Sequence, residues 1–130
     1  MADIDALKAT QEQVIMAVNH RDLDAWLSHM HDQVVFFNAF APFAVEGKAA
    51  VQQAGEAQLA MSEHITVTLI NTQYRIIGST GVIWGHSVLA IKPKDGPLQT
   101  TFVRNTGTYA KVDGKWLLVS LHISRIPSGN

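Results

Sequence analysis

Six histidines and no cysteine set the chemistry open to this chain of 130 residues. Without a thiol there is no thiolate nucleophile, no disulfide framework and no Cys-based zinc site, so the reactive groups must be oxygen or imidazole. Imidazole titrates nearest neutral pH and is the natural general acid or base. His20 and His64 fall near the ends of expected elements and read as solvated. His29 and His31 stand two residues apart, which puts them on different faces of a helix, so no metal site is expected. His86 and His122 lie mid-strand and are the catalytic candidates; no cofactor is expected. Most of the aromatic residues read as core. The exceptions are Phe40 and Phe43, which sit with Pro42 in a non-periodic stretch.

Three helices and five strands position these residues. Ile4, Leu7, Val14 and Val18 are spaced for one helical face, with Asp3 placed to cap it, and the helix runs to about Asn19. Asp22 reads as a second N-cap, and Leu23, Trp26, Leu27 and Met30 form the stripe of a helix ending near His31. The run 34–37 is β-branched and aromatic, a short strand followed by a bend at Pro42 and a turn at Glu46-Gly47. A third helix is expected over 48–62, although Gly55 lowers its propensity by about 1 kcal/mol. The remainder reads as four antiparallel strands, with turns at 78–81 and 92–97 and a hairpin at Asp113-Gly114. Helices first and strands afterwards indicate an α+β domain, with helices packed on one face of a sheet.

Composition narrows the function further. At 130 residues, 47% hydrophobic and 16% charged, the chain is expected to form one domain over 1–130. Its formal charge of −1 gives no field to hold nucleic acid or an anionic membrane, and neither partner is expected. Residues 1–65 carry three basic and nine acidic side chains, whereas 66–130 carry seven and two. That asymmetry reads as two solvated faces, or as two layers of opposite sign. Met1 to Thr10 lacks a basic region followed by an apolar run, and no apolar stretch approaches the roughly 20 residues of a membrane span. A cytoplasmic location is expected.

Three stretches carry a resemblance: Val18-Asn19 with Asp22-Leu23-Asp24-Ala25, then VVFFNAFAPFAVEGKAAV over 34–51, and DGKWLLVSLHISRIP over 113–127. With the order of elements, they resemble the nuclear transport factor 2-like superfamily. Its members include ketosteroid isomerase, SnoaL-like polyketide cyclases, scytalone dehydratase and the association domain of calcium/calmodulin-dependent kinase. The closing motif is most similar to the SnoaL-like and kinase-association branches. The resemblance implies a cystatin-like cone: a strongly curved antiparallel sheet wrapped around N-terminal helices, with an internal pocket. One such scaffold hosts many activities.

Ketosteroid isomerase-like enzymes use a carboxylate base, with a Tyr and a protonated Asp as oxyanion donors. The corresponding positions here hold Asn38, Val14 and Thr106, or Asn105 or Gly107 if the hairpin is offset by one residue. None is a carboxyl, so steroid isomerisation is not expected. The arginine-lined pocket of the kinase association domain falls on Gly107, Ile123 and Ser87, which does not support a site of that kind. The resemblance does imply side-chain parity. Val103, Asn105, Gly107 and Tyr109, with Val119, Leu121 and Ile123, should face the concave side.

The pocket expected from this is largely apolar and contacted by Trp26, Met30, Asn38, Phe43, Asn105 and Tyr109, with Phe40 at its rim. Its ligand would be a small apolar or cyclic carbonyl molecule. The opposite, convex face would carry Arg104, Thr106, Trp116, Leu118, Ser120, His122 and Ser124, a mixed surface suited to a homodimer interface. Three functions stay open: a small-molecule-binding domain, an isomerase, cyclase or dehydratase using His86 or His122, or an association module without a ligand. The histidine mechanism requires one of those rings to face inward.

Overall fold

The computed structural model describes residues 2–127; the two ends of the expected 1–130 domain lie outside them. The element order is α1 (Asp3–Asn19), α2 (Leu23–Ser28), β1 (Met30–Phe37), β2 (Val45–Glu46), α3 (Lys48–Met61), β3 (Ser62–Ile77), β4 (Thr80–Pro93), β5 (Gln99–Val112) and β6 (Lys115–Arg125). The strands form one sheet in the order β2-β1-β6-β5-β4-β3. This is the expected α+β arrangement, with two departures: a sixth, two-residue strand β2 stands where only a turn was expected, and β1 runs parallel to β6, while every other neighbouring pair is antiparallel.

Local chemistry explains the helix ends. Asp3 does not cap α1; Ala2 occupies that position, and Asp3 lies in the first turn, where Oδ1 accepts a bond from Lys111 Nζ at 2.7 Å. Asp22 does cap α2, its Oδ1 accepting from the Ala25 N–H at 3.0 Å. That helix stops at Ser28, short of the expected His31, because the sheet claims the chain. The Leu118 N–H donates to the His29 carbonyl at 2.8 Å, and Met30 already pairs with Leu118.

Two side chains fasten helices to strand β3. Asn19, last in α1, accepts from the Val67 N–H at 2.7 Å and donates to the Val67 carbonyl at 3.3 Å, as a neighbouring strand would. This partly covers an edge strand. Arg21, at φ 59°, donates to the carbonyls of Leu59 at 2.8 Å and Ser62 at 2.9 Å, groups that the end of α3 would otherwise leave without partners.

Pairing irregularities set which residues face inward. Between β3 and β4 the register shifts between Ile70 and Gln73, where Asn71 adopts φ 54°, a bulge of the kind that bends a strand. Gly85 lies against it, and a Cβ there would stand 3.0 Å from the Asn71 carbonyl oxygen. Between β5 and β6, Thr108 pairs with Ser120 but Tyr109 pairs with Leu118, leaving Val119 as the extra residue. The alternation on β6 therefore reverses at Val119.

Trp116 and Leu118 are consequently in the core rather than on the outer face, and Trp116 is only 3% exposed. They join Leu7, Leu27, Val34, Ile83 and Tyr109 in the main apolar cluster. Gly81 makes room for this packing: a Cβ at that position would come within 2.8 Å of Leu7 and 3.4 Å of Trp116.

Candidate functional site

Between the helices and the inner face of the sheet lies a cavity of about 260 Å³. Val14 and Val18 of α1, Trp26 of α2, and Val51 and Leu59 of α3 bound it on the helical side. Ile65, Val67 and Leu69 of β3, Leu89 of β4, Val103 of β5 and Leu121 of β6 bound it on the sheet side. Gly55 brings α3 close to α2: a Cβ there would meet Leu23 Cδ1 at 2.8 Å and Trp26 at 3.3 Å. The walls are overwhelmingly hydrocarbon, the usual composition of a small-molecule site.

Four neutral polar side chains interrupt that surface in its buried part. Tyr109, fully buried at 0% exposure, donates its phenol proton to Gln11 Oε1. Burial pushes the phenol above its ordinary pKa, with a smaller push from Tyr74, so it stays neutral. Four residues earlier on β5, Asn105 Oδ1 accepts from the hydroxyl of Ser87 on β4 at 2.8 Å, and both residues are buried. At the mouth, Asn38 Oδ1 accepts from the Phe40 N–H at 2.7 Å. Arg21 and Asp22 also reach the cavity wall, but the guanidinium is engaged on the end of α3 and the carboxylate on the start of α2.

The expected pocket residues divide. Trp26, Asn38, Asn105 and Tyr109 do line one cavity, and Phe40 stands at its edge. Arg125 lies over the Phe40 ring at 4.8 Å. Met30 does not line the cavity; as a strand residue it is packed into the core. Phe43 points away and is 81% exposed, because nothing in the bend around Pro42 folds it back over the opening.

The histidine candidates do not reach the cavity. His86 and His122 are exposed and pair across the sheet with Arg104 and Thr106, residues of the outer face. The His122 ring stacks on Phe37, centroids 5.1 Å apart. Neither ring can therefore act on a molecule held inside. Arg104, Thr106 and Ser120 share that outer face, as expected, while Trp116 does not. Among the described residues, no cluster of three His, Asp or Glu side chains could hold a metal ion.

Sequence reasoning passed over Gln11. Its signal was present: Gln11 lies four residues after Leu7 and three before Val14, a polar side chain within the apolar stripe of α1. Ser87 entered only as the counterpart of an absent arginine. Its partnership with Asn105 follows from the β4–β5 register, in which Ser87 pairs with Val103 and Gly85 with Asn105.

The fold has structural counterparts. A candidate dehydratase of the nuclear transport factor 2-like family from Streptomyces avermitilis superposes with a TM-score of 0.88 at 18% identity, covering 97% of this chain and 98% of that one. A candidate calcium/calmodulin-dependent protein kinase II association domain from Xanthomonas campestris gives 0.83 at 18%, covering 95% and 87%. An uncharacterised protein with a cystatin-like fold from Caulobacter vibrioides gives 0.82 at 16%, covering 95% and 89%. At these identities the likeness shows the fold alone. No curated protein matches the sequence. The SnoaL-like domain model, however, matches residues 7–129, nearly the whole chain, and the protein belongs to the SnoaL-like domain family.

Proposed function

We propose that residues 1–130 work as one SnoaL-like domain that binds a small, mostly apolar molecule in the cavity. The observation that carries this reading is the space itself, about 260 Å³ bounded by hydrocarbon and a few buried polar anchors. Two of its neighbours are named for enzymatic or assembly roles, one as a candidate dehydratase and one as a candidate kinase association domain. Acid–base catalysis needs a group that titrates near working pH beside the substrate. The buried polar residues here are a phenol held neutral, a hydroxyl and two carboxamides, which favours binding. Thermal-shift screening against a metabolite library tests it. Cyclic carbonyl compounds should raise the midpoint; no shift from any compound, with a crystal showing the space filled by side chains, would remove the reading.

A homodimer through the outer sheet face is the second part of the proposal. Phe37 and Phe102 are each about half exposed there, beside Arg104, Thr106 and His122, a mixture that suits an interface better than bulk solvent. No helix among the described residues is long and apolar enough to cross a membrane.

A further inference from the structure

Resting on the reading of the outer sheet face as a homodimer interface, we propose that this interface is a pH switch: His86 and His122 are covered as neutral rings when two copies meet, and their protonation drives the copies apart. The strand register places both rings at the centre of that face. Phe37, His122, Thr106, Trp84 and Gln73 are successive Cα partners across β1, β6, β5, β4 and β3. The adjacent row is Ser124, Arg104, His86 and Ile70. Arg104 and Thr106 stand at the middle of β5, and β6, β5 and β4 are inner strands of the sheet. Five strands ~4.8 Å apart and about nine residues of each give a face of roughly 700 Å², near the ~800 Å² that each partner contributes to a standard interface. Stacking two such faces over most of their extent therefore covers both rings in each copy.

The charge around the rings has one sign. Arg104 is the Cα partner of His86, and its bond to Ser124 Oγ keeps the guanidinium on this face, on the strand between the two histidines. His122 is stacked on Phe37, which offers no counter-charge. One row further on, Arg75 lies 5.1 Å over the Trp84 ring. The carboxylates stand at the margins: Glu46 at the β2 edge, as the partner of Val35, and Glu63 at the far end of β3, where it pairs with Lys92 at 3.4 Å beside His64. Among the described residues no Asp or Glu lies in the two central rows, and a second copy brings the same groups again. A neutral imidazole can be covered there, donating and accepting one hydrogen bond each. A protonated ring would be an unpaired charge beside Arg104. In the separate chain both histidines are exposed and take up the proton freely. The separate chains thus bind more protons than the dimer, so association is full above the pH at which exposed imidazole titrates and is lost as pH falls through it.

The experiment is sedimentation equilibrium of the full chain at about pH 7.5 and about pH 5.5, with far-UV circular dichroism on the same samples. The expected result is a dimer at the higher pH whose dissociation constant rises by about tenfold or more at the lower, with the fold intact at both. His86→Gln combined with His122→Gln keeps neutral hydrogen-bonding side chains in place and should bring that rise below about twofold. If the combined variant no longer associates at the higher pH, the two single variants carry the test, each with a smaller rise than the unaltered chain. A dimer of equal affinity at both pH values, a rise undiminished in the variants, or loss of the fold itself at the lower pH overturns the switch and leaves the dimer in place. A monomer at both pH values removes the interface reading and the switch with it.

Discussion

Replacing Tyr109 by Phe removes one oxygen and leaves the Gln11 carbonyl oxygen buried without its donor. The expected loss is about 1–3 kcal/mol of stability at neutral pH, read from urea unfolding. The same phenol predicts an alkaline limit. Its pKa is raised in the folded protein, so above pH ~10 the unfolded chain loses a proton that the folded chain retains, and stability falls as pH rises. Tyr109→Phe should make that alkaline decline shallower, with Tyr74, also raised, supplying part of what remains. An unchanged slope would place the titration elsewhere. At this scale the sequence was informative wherever alternation governs: Asn105 and Tyr109 face inward as strand parity requires. Met30 and Phe43 misled because one belonged to a strand rather than a helix, and the other to a bend whose direction no periodicity encodes.

Asn19 shows how an element is held by a side chain acting as backbone. Asn19→Ala removes both bonds to Val67 and is expected to cost about 1–3 kcal/mol at 0.5–1.5 kcal/mol per bond. Hydrogen exchange at the Val67 amide should accelerate more than at central β5, because β3 is an edge strand; uniform acceleration would argue against a local clamp. The hairpin at Asp113-Gly114 was legible because both residues need positive φ, observed at 50° and 80°. The bulge at Val119 was not: valine carries no local sign of it, and only the pairing with Thr108 and Tyr109 reveals the shift. One inserted residue moved Trp116 from an expected interface into the core. The parallel β1–β6 pairing was equally hidden, since alternation specifies faces and not direction.

For the whole molecule, the outer face of the sheet and the inner cavity make separate claims. Arg104 stands exposed on the outer face, its Nε donating to Ser124 Oγ at 3.3 Å. If this face joins two copies, sedimentation at micromolar concentration should give twice the chain mass of 14.2 kDa, and Arg104→Glu should weaken the association by removing the guanidinium bonded to Ser124 and placing an unpaired carboxylate on the face that is covered. A monomer mass for the unaltered protein would contradict the dimer and leave the cavity untouched. The cavity is tested most directly by pressurising crystals of the unliganded protein with xenon, which enters dry apolar spaces. The prediction is xenon density among Trp26, Val67 and Val103. Side chains in contact across that space, with no xenon between them, would contradict the account.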